Sequence, residues 1–192
     1  MLDKIKVLRE ETGVSIMECK KALKEANGSM EKAKEILRKW GEKVAIKKSE
    51  RTAEQGIITS YIHTNKKVGV LLDLRSETDF VAKSEEFQAL AHDICMQIAA
   101  MNPIYISPQD VPQEILDKER EIYSDQMKKD KKPKEVMEKI IKGKIEKFFE
   151  EVCLSEQSFI KEQDKKIKDI VKEKIAKLGE NIVVKRFVRF QI

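Results

Sequence analysis

The apolar residues of this chain change their period once, and that change dictates a two-part architecture. Up to Trp40 they recur every three to four positions, the spacing that lines one face of a helix. From Gly56 onward they form the runs GIITSYIHT and VGVLLDLRS, in which every second position is apolar, as in a half-buried strand. Between them lies EKVAIKKSERTAEQ, basic, polar and weakly periodic. A domain boundary therefore belongs there, giving an N-terminal domain over 1–41, a partly helical linker over 42–55 and a core domain over 56–192.

The first domain reads as three short helices. Ile5, Val7 and Leu8 sit in a segment ended by Thr12-Gly13, which suits a helix C-terminus. Ser15 followed by Glu18 has capping-box spacing and precedes Ile16, Cys19, Ala22, Leu23 and Ala26, until Asn27-Gly28 breaks the run. Ser29 caps a third helix carrying Met30, Ala33, Ile36, Leu37 and Trp40, which ends before Gly41.

The core domain reads as α+β. Its two strand runs, joined by Asn65-Lys66-Lys67, form a hairpin with one face buried through Val68, Val70, Leu72 and Leu74. Residues 84–101 make an amphipathic helix with Phe87, Leu90, Ala91, Ile94, Cys95, Ile98 and Met101 on one face, stopped by Asn102-Pro103. Three prolines keep NPIYISPQDVPQE extended, and helical patterns over 111–128 and 134–152 predict an antiparallel helical hairpin projecting into solvent at about 111–152. A last helix carries Ile167, Ile170, Val171, Ile175 and Leu178 and ends at Gly179. Ile182 to Ile192 alternate as a third strand, which completes a small antiparallel three-stranded sheet backed by helix 84–101.

Composition narrows the function. Charged residues make up 38% of the chain, yet 39 Lys plus Arg against 34 Asp plus Glu leave only +5, with the two signs interleaved. A dedicated nucleic-acid binder concentrates its cations in a stripe instead. Seven glycines and four prolines are too few for a turn-rich β-barrel or sandwich. The three cysteines Cys19, Cys95 and Cys153 lie far apart with no metal-ligand or disulfide spacing, which fits a reducing cytoplasm and no resident metal. No apolar run has secretory or membrane-spanning length, so no membrane partner is expected.

No glycine-rich phosphate loop, GxSxG, HExxH or paired-carboxylate spacing points to an enzyme or a cofactor. An acid–base enzyme would have to use His63 and Asp79, while His92 in mid-helix reads as a surface or edge residue. Lys128 to Lys134 could bind RNA phosphates, but acids flank the tract and no aromatics interleave to stack bases. A solvated hairpin tip accounts for it as well. The apolar stripe that includes Ile16 and Met17 reads first as core. Yet Ile16, Met17 and Cys19 cannot all face inward on one short helix, which leaves one or two of them available as a docking surface.

The least ordinary segment is Ser76-Glu77-Thr78-Asp79-Phe80-Val81-Ala82-Lys83-Ser84, a connection between a buried strand and a strong helix. Such connections often carry function. From the residues alone, the favoured reading makes Thr78 or Asp79 a helix cap and Phe80 a core residue packed under the sheet.

TDFVAKSEEF after VGVLLDLRSE, together with LREETGVSIMECKKALKEANG near the start, resembles the bacterial translation elongation factor Ts family. SYIH, KPKEVMEKIIKGKIEKFFEEVCLSEQSFIK and LGENIVVKRFVRF extend the resemblance over essentially the whole chain, in the family's order and at the length of its short form. Asn65-Lys66-Lys67 departs from the family's glycine-containing turn, and the C-terminal tail lacks the cysteine through which some short members link as dimers.

The resemblance implies guanine-nucleotide exchange on elongation factor Tu, with no bond made or broken by this chain. It implies that Thr78, Asp79, Phe80 and Val81 enter beside the partner's magnesium site, with Phe80 as an apolar wedge and Asp79 adding polar contacts. His63, Leu178 and Gly179 match further partner-facing positions, and Val14, Ile16 and Met17 match the docking face of a ubiquitin-associated-like N-terminal domain. It also implies a homodimer that gives a two-plus-two complex, with no direct nucleic-acid contact.

Overall fold

The computed structural model describes residues 1–127 and 133–192, so most of the Lys128 to Lys134 tract lies outside the described residues. The fold is α+β, with N-terminal helices and a small antiparallel three-stranded sheet. Helices α1 (Leu2–Thr12), α2 (Ile16–Glu25) and α3 (Met30–Ser49) come first. Strands β1 (Gln55–Ile62) and β2 (Val68–Ser76) form the hairpin, and the single turn α4 (Asp79–Ala82) leads into α5 (Glu85–Met101). Helices α6 (Gln113–Met127) and α7 (Lys134–Val152), short strands β3 (Ser158–Phe159) and β4 (Glu162–Lys166), α8 (Ile167–Leu178) and β5 (Ile182–Gln191) follow, with 3-10 turns at Pro108–Asp110 and Leu154–Glu156. The sheet order is β1-β2-β5, and β3 pairs antiparallel with β4.

The residues fall into two compact units. One holds 1–60, 71–93 and 169–188, and the other holds 61–70, 94–168 and 189–192.

In the first unit, α1 to α3 close around Ile5, Leu8, Val14, Cys19, Leu23 and Leu37, with Trp40 packed against them. Their ends follow local chemistry. The Ser15 hydroxyl accepts from the Glu18 amide at 3.3 Å, and the Ser29 hydroxyl accepts from the Lys32 amide at 3.4 Å. Gly13 ends α1 in the left-handed region at φ 66°, where its amide caps Arg9.

Helix α3 does not stop at Gly41 but continues to Ser49, so the first part of the expected linker is helical. A lone glycine inside a helix costs only about 1 kcal/mol, and the residues that follow are good helix formers. The glycine has a packing role as well: a Cβ there would meet the Ala176 methyl at 3.3 Å, so α3 and α8 approach closely at this point. Gly56, at φ 148°, lets β1 pass against the Leu74 carbonyl, where a side chain would collide.

The β2 residues Val70, Leu72 and Leu74 are buried, while Leu71 between them is exposed. Asp73, on the Leu71 face, is nonetheless only 5% exposed because Arg75 and Arg186 cover it. The Arg75 guanidinium holds its carboxyl below the usual carboxylate range. On α5, Phe87, Leu90, Ala91, Ile94, Cys95 and Ile98 are buried as their spacing requires, but Met101 is half exposed. It occupies the last helical turn, beyond the packed part of the face.

In the second unit, Val111 just before α6 and Ile115 and Leu116 in its first turn share a cluster with Phe148, Phe149 and Val152 at the end of α7. Beginning meets end, so the two helices run antiparallel. The Lys144 ammonium donates to Gln126 at 2.7 Å and lies 5.0 Å from the centre of the Tyr123 ring. A polar pair holds the interior beside them. Gln97 is fully buried, donates to the Gln157 side chain at 3.2 Å and the Ser158 carbonyl at 3.1 Å, and accepts from the Ile160 amide at 2.9 Å. Every polar atom of that amide is thereby used, as burial demands.

Candidate functional site

The Ser76 to Ser84 segment lies in the first unit and is built by short-range hydrogen bonds. Thr78 is the N-cap of α4, its hydroxyl accepting from the Val81 amide at 3.3 Å. The Ser76 hydroxyl donates to the Thr78 carbonyl at 2.9 Å, which ties the end of β2 to the turn. Ser84 then links α4 to α5: its hydroxyl donates to the Val81 carbonyl at 2.7 Å and accepts from the Phe87 amide at 3.3 Å. Two serines and a threonine thus convert the connection between strand and helix into one fixed corner.

The side chains of this corner divide sharply. Val81 and Ala82 are buried at 7% and 2% exposure, anchoring the turn from beneath. Phe80 is 82% exposed. Packing Phe80 under the sheet is thereby ruled out, whereas the capping role of Thr78 is present. Successive residues of a helix are rotated by about 100°, so burying Val81 and Ala82 together turns the preceding aromatic to the opposite, outward side. An exposed phenylalanine on a rigid corner forfeits the hydrophobic gain that it would have inside. Asp79 stays in water beside it and pairs with Lys83 at 2.7 Å, and that ammonium holds its carboxyl below the usual range. A general base needs the opposite shift, so Asp79 is poorly suited to acid–base chemistry.

The corner between α8 and β5 supports the segment from the side. The Glu180 carboxylate accepts from the Thr78 amide at 3.0 Å and from the Thr78 hydroxyl at 2.7 Å. The Glu77 carboxylate accepts from the Asn181 amide at 2.7 Å, which is the main reason that its pKa is lowered, and Arg51 adds a longer contact at 3.3 Å. Gly179, exposed and at φ 75°, makes the turn that presents these groups, and Leu178 before it is half-buried. The Lys48 ammonium donates to the Gly179 carbonyl. At the base of α5, Glu86 receives Lys174 and Lys177, which push its pKa down to about 2.

The other expected site residues are placed as follows. Ile16 and Met17 are 51% and 62% exposed in the first turn of α2, while Cys19 is fully buried, on the side of the helix opposite Met17. Val14 is a correction: at 6% exposure its side chain belongs to the three-helix core and leaves the surface to Ile16 and Met17. His63 lies in the second unit, at the end of the β1–β2 hairpin, where its exposed ring meets the Tyr61 hydroxyl at 3.0 Å. Glu180 was not among the expected residues. A lone glutamate after a helix-ending glycine has no local signature, and its role depends on Thr78, 102 positions earlier in the chain.

Among the described residues no group of three His, Cys, Asp or Glu could hold a metal ion, and no helix is long and apolar enough to cross a membrane. What the first unit does offer is one aromatic held out into solvent on a fixed turn, and a separate pair of exposed apolar residues on α2.

Comparison with known proteins gives a consistent result. The family model described as "Elongation factor TS" matches residues 5–192. "Elongation factor Ts" of Thermodesulfovibrio yellowstonii is 60% identical over 188 residues, covering 98% of this chain and 94% of the relative. That of Thermosipho melanesiensis is 56% identical over 188 residues, covering 98% and 96%. That of Thermotoga maritima is 54% identical over 191 residues, covering 100% and 95%.

Proposed function

Because this chain belongs to the elongation factor Ts family and is thus a translation elongation factor, we propose that it exchanges guanine nucleotide on elongation factor Tu by inserting the Thr78–Val81 segment. The observation that carries this reading is Phe80, 82% exposed at the tip of a hydrogen-bonded corner. An exchange factor must bind the nucleotide-free partner more tightly than the nucleotide-bound one, and by reciprocity it then weakens nucleotide binding by the same factor. A guanine nucleotide is held through its phosphates by backbone amides and by magnesium, so displacing the elements around that metal removes much of its binding energy. A rigid aromatic wedge suits that task. It gains hydrophobic free energy only when it enters an apolar gap, and so favours the displaced arrangement of the partner.

In this reading Asp79 stabilises the displaced arrangement through polar contacts, and His63, Leu178 and Gly179 add contacts of their own. Docking belongs to a domain over 1–41, through Ile16 and Met17, and is joined through 42–55 to an exchange domain over 56–192. The exposure of Ile58, Leu71 and Val188 on the sheet supports a homodimer and a two-plus-two complex with the GTPase. Light scattering of the free chain at micromolar concentration is expected to give twice the 22.2 kDa monomer mass, and a monomer mass would remove the dimer from the proposal.

The exchange reading is tested by stopped-flow release of a fluorescent GDP analogue from elongation factor Tu. Catalytic amounts of this protein are expected to accelerate release of the whole bound pool. Release at the intrinsic rate in the presence of a folded protein would refute exchange.

A further inference from the structure

We propose that Glu180 is the positioning residue that presents Phe80 to the partner, by holding Thr78 through two hydrogen bonds; this rests on the exchange reading of the Thr78–Val81 segment. Helix α4 is a single turn of four residues, and one turn fixes too many dihedral angles per hydrogen bond to persist alone. Phe80, at 82% exposure, contributes little packing of its own. The orientation of the turn must then come from neighbouring groups.

Thr78 supplies the link. Its hydroxyl has one proton to donate and lone pairs to accept with. The proton goes to Glu180 Oε1 at 2.7 Å, while the oxygen accepts from the Val81 amide at 3.3 Å. The second carboxylate oxygen, Oε2, accepts from the Thr78 amide at 3.0 Å. Glu180 therefore fixes both the backbone of Thr78 and the rotamer with which it caps α4. The bond is returned one residue away on each side, where the Glu77 carboxylate accepts from the Asn181 amide at 2.7 Å. Two adjacent residues of the loop and two of the corner exchange carboxylate–amide bonds. The corner is itself held, since Asn181 is 3% exposed and its side-chain amide donates to the Arg51 carbonyl at 2.8 Å.

The functional consequence is preorganisation. A wedge ordered before encounter takes its ordering cost out of folding, and a floppy one would draw it from the energy of association. Glu180→Gln keeps the size of the side chain but retains only one oxygen acceptor for two donors. Thr78→Val keeps the shape of the threonine without its hydroxyl, and Thr78→Ser keeps the hydroxyl.

The test uses the full chain and two readouts. In the free protein, amide hydrogen exchange at Thr78 and Val81 is expected to quicken about tenfold in Glu180→Gln, while the amides of α5 and the thermal midpoint stay near wild type. With elongation factor Tu, the acceleration of GDP release is expected to fall about tenfold in Glu180→Gln and in Thr78→Val, to fall no further in the double variant, and to persist in Thr78→Ser. Losses that add in the double variant, or wild-type exchange of the Thr78 and Val81 amides in Glu180→Gln, would overturn the clamp. Unchanged GDP release in Glu180→Gln beside an active wild type would overturn the clamp alone, and an inactive wild type would overturn the exchange reading together with it.

Discussion

Replacing Phe80 by alanine separates what the aromatic does for folding from what it does for the partner. At 82% exposure only about a fifth of the ring is out of water in the free protein. Since burying a phenylalanine fully is worth about 3 kcal/mol at most, the substitution should cost about 0.5 kcal/mol of stability. Alanine is also the better helix former at this position and offsets part of that loss. Insertion into an apolar gap would bury the remaining four fifths, so the same substitution removes about 2 kcal/mol from the inserted state, or roughly 30-fold in the rate of GDP release. Urea denaturation followed by circular dichroism gives the first quantity, and stopped-flow release of a fluorescent GDP analogue from elongation factor Tu gives the second. A urea midpoint lowered by the equivalent of 2 kcal/mol, with binding lost in proportion, would mean that Phe80 is a structural residue and would refute the reasoning.

Three further outcomes follow from the geometry. The Glu86 carboxyl is depressed from 4.5 to about 2 by Lys174 and Lys177, so its stabilising contribution is complete above about pH 4.5 and is lost as pH falls toward 2. Glu86→Gln should therefore be less stable than wild type at pH 7, with the difference closing between pH 4.5 and 2 in urea melts; a gap that persists at pH 2 would show that the ion pairs are not its source. Burial pushes the Cys95 thiol up to about 12 and the Cys153 thiol up to about 11, so neither should react with a thiolate-specific reagent at pH 8 until denaturant is added. Labelling of either cysteine in the native protein would contradict that. At Gly56, a Cβ would collide with the Leu74 carbonyl in a backbone conformation that side chains rarely adopt, so Gly56→Ala should cost about 2 kcal/mol or more, read as a lowered thermal midpoint; an unchanged midpoint would mean that β1 shifts freely against β2.

Much of this fold is written in short-range patterns. The serine caps at Ser15 and Ser29, the glycine stops at Gly13 and Gly179 and the alternation of β2 each act within a few residues, and each appears where the sequence places it. Gly41 misled because its signal is ambiguous: a glycine ends a helix when the next residues cannot continue it, but here it clears space for Ala176 on a helix distant in sequence. The pair β3 and β4 escaped for another reason. Its longer strand, EQDKK, is wholly polar, so no alternation marks it, and only pairing with Ser158 and Phe159 makes it a strand.

The site divides along the same line. The composition of Thr78 to Val81 marked the segment, and the helix caps there are local. The outward orientation of Phe80 is not local, because it depends on Val81 and Ala82 finding a core beneath the turn. Val14 shows the converse. The family resemblance alone groups it with Ile16 and Met17, yet it precedes the first turn of α2 and closes the three-helix core.

The central claim is that this protein and GDP oppose each other on one partner, and a closed thermodynamic cycle tests it most directly. Titration calorimetry would measure the affinity of this protein for nucleotide-free and for GDP-bound elongation factor Tu, and the affinity of GDP for the GTPase with and without this protein. Reciprocity requires the two ratios to be equal, and exchange requires both to be far above one and to shrink in Phe80→Ala. Equal affinity for the two forms of the GTPase, however tight, would contradict the account.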